Sequence, residues 1–550
     1  MKFGLKNAII LLAVILVAGF LRFYQLDKIP PGLIIDEASE GYNAFSLLHT
    51  GKDRYGQSLP ILFRSFGSFQ APLYTYLSVI PIYLFGNSIF SIHFVSAVSG
   101  VVLVITTLIL LVNFEKRKKI DLSVAAAFLV AISPWAIFFS RFGTEASLGV
   151  TLFILSFLFF YLSLKRLWLF PVATFILGLS THAYYSERLI SPLFLIGFIL
   201  LFRKILFSKK KILILGLISF GITQIPHLMI INSGAFTRRL AQIDYFNDQF
   251  FQDNSGSLHF LPFGRQLFII REFLSQYLAY FSPKNLFFDP DPQDFRSMPD
   301  LSVFYSWMII PFVFGLRALM INRFSPFIKM LILLIILAPI SASLTRDPFS
   351  TIRILDLLWV ITITIALGLH NLLTFFSSLK FKTIIFVVVI SVSLIQLYLS
   401  YFVLLRYERS ENYSFSYIEL LKTTEQMKDN RFIIDSTREL GTGIRFAYLK
   451  KYDPLVLQKI LANQIKDDYY SNFGYDEPYA IDNVETRPIV WREDVCKNQI
   501  LVGDLLSISE QQVQEHHLKF LFNIKNLAGD ITLKAYSTNP GRSCLNRTRE

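Results

Sequence analysis

Apolar segments long enough to cross a lipid bilayer recur along the N-terminal two-thirds of this chain. A spanning helix needs roughly 20 mostly apolar residues, and we predict eleven such segments. They lie near 8–26, 75–112, 122–140, 147–164, 167–185, 189–202, 212–232, 303–321, 329–345, 351–373 and 383–405. The 75–112 stretch is too long for one span, so we expect a short interfacial helix that runs into a true span after Gly86. The sequence therefore predicts a polytopic α-helical membrane protein.

The first apolar segment follows Lys2 and Lys6, a pattern shared by cleaved signal peptides and retained anchors. No small-x-small cleavage site follows the segment, and Arg22 lies near its end. We therefore expect a retained anchor with a cytoplasmic N-terminus.

Lysine and arginine residues concentrate in alternate turns between the predicted spans. With a cytoplasmic N-terminus, the cytoplasmic turns hold Lys116, Arg117, Lys118, Lys119, Lys165, Arg166, Arg203, Lys204, Lys209, Lys210, Lys211, Arg317, Arg323, Lys329, Lys380 and Lys382. Because cytoplasmic loops carry the excess of Lys and Arg, this pattern predicts a cell-membrane protein whose C-terminal region is extracytoplasmic. The formal net charge of +13 then reflects topology and does not indicate a nucleic-acid partner.

Three soluble stretches are extracytoplasmic in this topology: a first outer loop at 27–74, a second at 233–302 and a domain at 406–550. The last one alternates strand-like and helical runs, which predicts a small α/β domain. Its Cys496 and Cys544 could form a disulfide, which this compartment permits, or could both stay free. The predicted strands are Arg431–Asp435, Gln499–Val502, Leu518–Phe522 and Ile531–Ala535, and the predicted helices are Tyr417–Lys428 and Gly443–Lys451.

The first outer loop carries two adjacent carboxylates, Asp36 and Glu37, at the start of a predicted helix. A structural interpretation is that Asp36 caps the helix and that Glu37 complements its dipole. A functional interpretation is that a carboxylate at the membrane surface takes a proton from an acceptor hydroxyl. Both can hold, because a cap also fixes the side chain that acts as a base.

Other ionisable residues lie at the same ends of later spans. Glu145 begins a helix shortly after Arg141, where dipole complementation and interfacial anchoring are the simplest explanations. His182, Glu187 and Arg188 lie at the outer end of the fifth span. An interfacial aromatic belt explains the two tyrosines between them, but it does not explain this set of ionisable groups.

Arg353 lies at the start of a largely apolar helix, where an ionisable residue is costly unless it faces a partner or a cavity. A guanidinium suits a phosphate, which it can bind through two hydrogen bonds. An ion pair with Asp347 or Asp356 is the structural alternative. A transporter more often places ionisable groups at mid-bilayer, so charges gathered at one set of helix ends favour an enzyme on a lipid-linked substrate. No phosphate-binding glycine loop, HExxH, CxxC or GxSxG signature is present.

In combination these motifs resemble the GT-C glycosyltransferases, and most closely the protein O-mannosyltransferases and the lipid A aminoarabinose transferases. The resemblance covers about 1–405 and implies a GT-C transmembrane catalytic domain there, followed by a separate domain at 406–550. It rests on Asp36-Glu37 after a first span, on Gly51-x-Asp53-x-Tyr55-Gly56-x-x-Leu59-Pro60, on Ala71-Pro72-Leu73-Tyr74-x-Tyr76 and on Leu84-Phe85-Gly86, with echoes at 282–288 and 344–353.

The resemblance implies transfer of a mannose-like or related sugar from a polyprenyl-phosphate carrier to a hydroxyl of a protein, lipid or glycan, with inversion. Asp36 would be the base or acceptor-orienting group, with Glu37 beside it and Glu145 as a second acid of the site. Because the departing phosphate needs positive charge around it, the candidates for binding phosphate or substrate are Arg353, Arg141, His182, Arg188, Arg64 and Tyr74. Two alternatives are a transporter or lipid-linked-sugar flippase, and a non-catalytic membrane assembly protein.

One departure from the family concerns the phosphate. The aminoarabinose transferases carry a phosphate-contacting Lys before a Pro in the first loop, whereas this chain reads Gln70-Ala71-Pro72. Lys52, Arg54 or Arg64 could substitute for that Lys, or the substrate differs. The superfamily also admits a divalent metal (Mg, Mn or Zn) near Asp36, although the sequence shows no independent cluster of ligands.

Overall fold

The computed structural model describes residues 5–115, 121–375, 378–462, 469–471, 474 and 479–544. Lys2 and the predicted cytoplasmic run Lys116, Arg117, Lys118 and Lys119 lie outside these ranges. The described chain forms two compact units. The first unit comprises Met1–Leu26, Ala71–Tyr74 and His93–Phe402, and the second comprises Asp27–Gln70, Thr75–Ile92 and Val403–Glu550. One boundary between the units lies between Phe402 and Val403, and residues 27–70 of the first outer loop group with the C-terminal region.

Most helices before the second outer loop are apolar, and further helices lie within that loop. They are α1 (Leu5–Phe23), α2 (Ile35–Thr50), α3 (Pro72–Phe85), α4 (Ile89–Phe114), α5 (Asp121–Ile132), α6 (Pro134–Phe139), α7 (Glu145–Ser163), α8 (Phe170–Ser180), α9 (Glu187–Leu201), α10 (Arg203–Phe207), α11 (Lys210–Ile230), α12 (Ala235–Ile243), α13 (Asp248–Asn254), α14 (Gly264–Ala279) and α15 (Pro283–Phe287).

The remaining helices complete the first unit and supply the helices of the C-terminal region. They are α16 (Ile309–Ile321), α17 (Pro326–Ser343), α18 (Leu355–Phe375), α19 (Leu379–Leu397), α20 (Leu405–Glu408), α21 (Phe415–Gln426), α22 (Thr442–Leu449), α23 (Pro454–Ala462), α24 (Trp491–Asp494), α25 (Glu510–Glu515) and α26 (Pro540–Ser543). A π-helical segment, Tyr398–Leu404, joins α19 to α20.

Within the described ranges, six helices are long and apolar enough to cross a membrane. They are Ile89–Phe114, Glu145–Ser163, Lys210–Ser233, Pro326–Ser343, Leu355–Leu373 and Lys382–Glu408, and five shorter apolar helices of 10–17 residues accompany them. The chain is therefore a multi-pass membrane protein, while the predicted number of eleven spans is not fixed by these lengths.

Two of the long apolar stretches are divided by a local backbone constraint. Helix α3 ends at Phe85, and Gly86 then takes a φ of +79°, which costs least without a Cβ atom. This break lies where the sequence predicts it. The stretch near 122–140 is also divided, because Pro134 has no N–H to continue the hydrogen bonding of α5 and instead begins α6.

The second unit contains a six-stranded mixed sheet with the strand order β4-β5-β3-β6-β8-β7. Central strand β3 pairs in parallel with β5 and β6, and the other pairs are antiparallel. Ile433, Leu501 and Tyr536 lie in one apolar core beneath this sheet. The strands are β3 (Phe432–Ile434), β4 (Tyr479–Ile481), β5 (Val484–Thr486), β6 (Ile500–Gly503), β7 (Lys519–Lys525) and β8 (Ile531–Ser537), while β1 (Phe63–Ser65) and β2 (Ser68–Gln70) form a separate hairpin.

Helix α2 of the first outer loop packs within this second unit against α22. Gly41 on α2 lies so close to the ring of Tyr448 that a Cβ atom there would be 2.7 Å from the ring. The hydroxyl of Tyr42 donates to the backbone oxygen of Tyr452 at 3.0 Å. These contacts hold the helix that carries Asp36 and Glu37 against the C-terminal region.

Cys496 and Cys544, which are 48 positions apart in sequence, form a disulfide with their Cα atoms 5.7 Å apart. Closing a loop of this length removes unfolded-state entropy, so we expect Cys544→Ser to lower the free energy of unfolding of the second unit by about 2–4 kcal/mol. Hydrogen exchange of peptides that cover β6 and β8 measures this loss. Dithiothreitol should accelerate exchange in the parent protein and leave the variant unchanged, whereas equal exchange in both proteins without reductant would contradict the expectation.

Candidate active site

The two acids of the first outer loop lie in the first turn of α2 in different surroundings. Glu37 is fully buried, and its Oε2 accepts the backbone N–H of Ile34 at 2.7 Å. Glu37 therefore satisfies a donor at the start of the helix, the role that one interpretation of the sequence gave to Asp36. The side chain of Asp36 is exposed, which leaves its carboxylate open to a substrate.

A chain of buried polar side chains ends at Asp36. The Nε2 of Gln70 lies 3.3 Å from Asp36 Oδ1 and 3.1 Å from the Asp36 backbone oxygen. The Oε1 of Gln70 accepts from Ser39 Oγ at 2.9 Å, and Arg54 Nη1 donates to the same Ser39 oxygen at 2.6 Å. Because Arg54, Ser39 and Gln70 are all buried, this relay fixes the orientation of an exposed carboxylate, as a general base requires.

The glycine-bounded motif that follows α2 has a structural role. Asp53 is fully buried, and its carboxylate accepts hydrogen bonds from the hydroxyl of Tyr469 at 2.6 Å and from the N–H groups of Tyr55 and Gln57. Burial raises the pKa of Asp53, while the hydrogen bond from Tyr469 opposes that rise. Arg64 is buried too; its Nη1 donates to the backbone oxygen of Tyr469 at 3.2 Å, and it stacks on Tyr55. Arg64 therefore helps to hold this motif.

In the first unit, Arg353 belongs to a cluster of two arginines and two aspartates. Its Nη1 lies 2.9 Å from Asp347 Oδ2 and 2.7 Å from Thr345 Oγ1. The same Asp347 oxygen is 3.2 Å from Arg296, which also contacts Asp291 at 3.3 Å. We call Asp291, Arg296, Asp347 and Arg353 the arginine cluster. The sequence anticipated the pair between Arg353 and Asp347 as a structural alternative, but it did not single out Arg296.

The arginine cluster is sealed at one end and accessible at the other. The side chains of Arg296 and Asp291 are 4% and 1% exposed, whereas those of Arg353 and Asp347 are 14% and 35% exposed. Asp291 Oδ2 also accepts from the N–H and hydroxyl of Thr351, at 2.8 and 2.6 Å. The buried pair of Arg296 and Asp291 thus anchors the 3-10 helix Thr351–Arg353. Arg353 itself lies at the accessible end of the arginine cluster.

Several charges converge on the turn between α8 and α9. The charge of Arg353 acts on the phenol of Tyr184 in this turn. Glu145, Arg239 and Arg296 also lie close enough for their charges to act on this phenol. Two of these arginines, Arg353 and Arg296, are already paired with Asp347 and Asp291, so the charges in this part of the first unit are close to balance.

Glu145 and Arg188 border the same turn. Glu145 begins α7, and its Oε1 accepts the N–H of Ala71 at 2.6 Å. Arg188 Nη1 donates to the backbone oxygen of Phe236 at 3.0 Å, and its guanidinium lies 4.1 Å from the ring centroid of Tyr185. The structure thus brings Glu145, Arg188 and Arg353, all selected from the sequence, to one region of the first unit.

The contacts of His182 within the protein give it a structural role. Its Nε2 lies 2.5 Å from the backbone oxygen of Thr223, and its ring stacks on His227 with centroids 3.9 Å apart. Its backbone oxygen accepts the N–H of Leu73 at 3.1 Å. His182 therefore ties the turn after α8 to α11 and to the segment that begins α3.

Two further residues selected from the sequence are also engaged by the protein itself. Arg141 donates from Nη1 to the backbone oxygen of Leu21 and from Nη2 to that of Tyr24, each at 2.7 Å. These oxygens lie at the C-terminal end of α1, where carbonyls lack intrahelical partners. The hydroxyl of Tyr74 is buried 3.1 Å from Ser96 Oγ. We therefore leave Arg141 and Tyr74 out of the proposed phosphate site.

The described residues do not present a ready metal site. Across these ranges, no group of three or more His, Cys, Asp or Glu side chains comes together in a way that could hold a metal ion. Asp36 has an amide, Gln70, as its polar neighbour. The side chains present near Asp36 therefore do not fit the divalent metal that the family resemblance admits, and we derive no step through one.

In structure, the chain is similar to ArnT from Cupriavidus metallidurans bound to undecaprenyl phosphate, with a TM-score of 0.57 and 12% identity over 96% of this chain and 98% of that chain. It is also similar to the same ArnT in the apo state (TM-score 0.55, 12% identity, 98% of both chains). A third structure is the apo Archaeoglobus fulgidus oligosaccharyltransferase (TM-score 0.50, 13% identity, 98% of this chain and 75% of that chain). Neither a protein-family model nor a curated protein sequence matches the chain. The chain has the GT-C fold of these membrane proteins.

The buried ion pair between Arg296 and Asp291 allows a stability prediction. Arg296→Met leaves Asp291 buried without its charged partner, and breaking such a pair costs about 3–5 kcal/mol. The exposed pair between Arg265 and Asp248 is the matched control, because Arg265→Met should change stability by less than about 1 kcal/mol. Unfolding in detergent with increasing denaturant measures both variants. Equal loss of stability in the two variants would show that the Arg296 pair contributes no more than a surface pair.

Proposed function

We propose that this chain is an integral membrane glycosyltransferase that moves a sugar from a polyprenyl-phosphate carrier to an acceptor hydroxyl, with inversion at the anomeric carbon. The observation that carries the proposal is an exposed carboxylate, Asp36, held by a buried relay in a chain of GT-C fold. The undecaprenyl phosphate bound to the ArnT structure supports a polyprenyl-phosphate donor. A mannose-like sugar and reaction on the extracytoplasmic face are part of the proposal, as is an acceptor that is a protein, a lipid or a glycan.

The proposed chemistry is a single displacement. The acceptor oxygen bonds to the anomeric carbon as its proton passes to Asp36, and the bond from that carbon to the phosphate oxygen breaks with its electron pair leaving on the lipid phosphate. Attack opposite the leaving group inverts the configuration. The lipid phosphate is already a good leaving group, so the reaction needs one base and stabilisation of negative charge.

The arginine cluster is the proposed site for the lipid phosphate. Arg353 lies at its accessible end and can form two hydrogen bonds to a phosphate, while Arg296 fixes the Asp347 carboxylate that holds Arg353. Arg188 and Glu145 border the same region. In this proposal Glu145 orients the segment at Ala71 rather than moving a proton, because its carboxylate already accepts a backbone N–H.

Asp36→Asn should lower kcat for sugar transfer by about 10²–10⁴-fold, the usual contribution of a general base. Asp27→Asn is the matched control, because Asp27 is an exposed acid of the same loop outside α2. Transfer is measured with purified protein in vesicles, a labelled polyprenyl-phosphate sugar and a panel of acceptors. Full activity of Asp36→Asn would remove Asp36 from the mechanism, and carrier exchange across the membrane without a glycosylated product would favour a flippase.

Gln70→Leu removes the donor that orients Asp36 and keeps a side chain of similar size. We expect kcat to fall by about 10–100-fold with little change in KM for the donor, because misplacing a reacting group slows the chemical step. Gln57→Leu is the control, since Gln57 contributes its backbone N–H, and not its side chain, to the neighbouring Asp53. A change in KM alone would instead assign Gln70 to substrate binding.

Arg353→Lys should raise KM for the polyprenyl-phosphate donor by about tenfold, because an ammonium cannot reproduce the paired hydrogen bonds of a guanidinium. Arg323→Lys is the control, being an exposed arginine in the turn between α16 and α17. Initial rates over a range of donor concentrations separate KM from kcat. An unchanged donor KM would place the phosphate elsewhere.

A further inference from the structure

Helix α14, in the second outer loop, presents an apolar stripe on its surface. The stripe residues recur every three or four positions, which puts them on one side of the helix. They are Leu267, Ile270, Leu274 and Leu278, which are between 45% and 65% exposed. Just before the helix, Phe260 and Phe263 are 85% and 78% exposed. An exposed stripe of this kind marks a surface that meets another apolar phase.

The rest of α14 has the composition of a helix that lies at a membrane surface. Arg271 pairs with Glu272, and Arg265 pairs with Asp248, so charges flank the stripe. On the opposite side of α14, Phe268 and Gln276 are buried in the interior of the first unit. A helix with one apolar side, and with arginine beside it, is typical of segments that lie in the interfacial region of a bilayer.

Contacts with α17 place the second half of α14 at membrane depth. The hydroxyl of Tyr277 donates to the backbone oxygen of Ile336 at 2.9 Å. Ile336 belongs to α17, one of the candidate spans, and precedes its last residue, Ser343, by a length of about 10 Å at 1.5 Å per residue. The ring of Tyr277 also stacks on that of Phe273 and lies tilted against that of Phe281, as in the aromatic belts of membrane proteins.

The same helix supports the segment that carries the arginine cluster. In the amide orientation that its surroundings favour, Gln276 donates to the backbone oxygens of Asp347 and Pro348, each at 3.1 Å. The ring of Tyr280 packs on that of Phe349 with centroids 5.5 Å apart. One side of α14 thus faces outward with apolar residues while the other holds the segment between α17 and Arg353.

We propose that the apolar stripe of α14 is embedded in one leaflet of the bilayer, in contact with lipid acyl chains, and that this contact seats the Asp347 segment at the membrane surface. The occupant is the bilayer because the stripe is continuous in depth with α17, whose own Ile336 is 51% exposed. The inference goes beyond the proposed glycosyl transfer and needs only the membrane location of α17.

The test uses spin labels on the full-length protein in phosphatidylcholine vesicles that contain no polyprenyl phosphate. The labels are attached at Leu274→Cys and Leu278→Cys, and the two native cysteines stay protected in their disulfide. Ser275→Cys is the control, because Ser275 is exposed on the same turn of α14 but off the stripe. We expect labels at 274 and 278 to collide more with lipid-soluble oxygen than with a water-soluble nickel complex, and the ratio to shift towards nickel at 275.

Three outcomes would overturn the proposal. Nickel access at both stripe positions would put the stripe in water, and protection from both reagents would show that another protein surface covers it. Oxygen access that develops only after polyprenyl phosphate is added would assign the stripe to the carrier chain. Because the measurement needs no turnover, the Asp36→Asn variant should give the same ratios, which separates this test from that of the proposed function.

Discussion

A backbone polar group inside a membrane domain has no water to bond with, and this constraint shapes the centre of the first unit. Carbonyls at the ends of buried helices need donors from elsewhere in the protein. Arg22 supplies them to the last turn of α5, through hydrogen bonds to the oxygens of Val130 and Ala131. Arg141 does the same for the end of α1. Arg141, a phosphate candidate in the sequence, and Arg22 thus bind the carbonyls at helix ends, and Gly100 leaves the space that Arg22 needs.

Much of the fold could be predicted because its signals are local. Apolar runs mark the long helices, Gly86 marks a break, and the four strands and two helices anticipated in the C-terminal region are present with shifted ends. Strands β4 and β5 were not predicted, because each has three residues in a polar stretch of the chain, whereas the equally short β3 is a continuous apolar run. The capping role that the sequence suggested for Asp36 belongs to Glu37 in the structure. Helix α2 begins at Ile35, which places Glu37 where its carboxylate can reach back to the N–H of Ile34.

The candidate site was predicted less fully because its partners are distant in sequence. Arg296 lies in a long polar loop without a local motif, and it becomes notable only when Asp347, 51 positions later, is seen beside it. His227 and Tyr469 were missed for the same reason: each contacts a selected motif only through the tertiary structure.

The relay that ends at Asp36 uses an amide, which orients a carboxylate without placing a positive charge beside it. An adjacent cation would favour the ionised carboxylate and weaken a base. In the arginine cluster, two aspartates balance two arginines. Under the proposed function, an arriving phosphate takes the place of Asp347 as the partner of Arg353. Because Asp347 neutralises Arg353 until then, the empty site carries no large excess of charge.

The second unit is built from segments that are not contiguous in sequence, and this affects when it can fold during synthesis. Residues 27–70 emerge from the ribosome early, yet several of their contacts are with residues more than 400 positions later, as in the bonds from Tyr42 to Tyr452 and from Arg64 to Tyr469. Domains generally fold in the order of synthesis, but this one must wait until the last spanning helix has been inserted. The helix that carries Asp36 therefore lacks its partners Tyr448 and Tyr452 until the residues that follow the spanning helices have been synthesised.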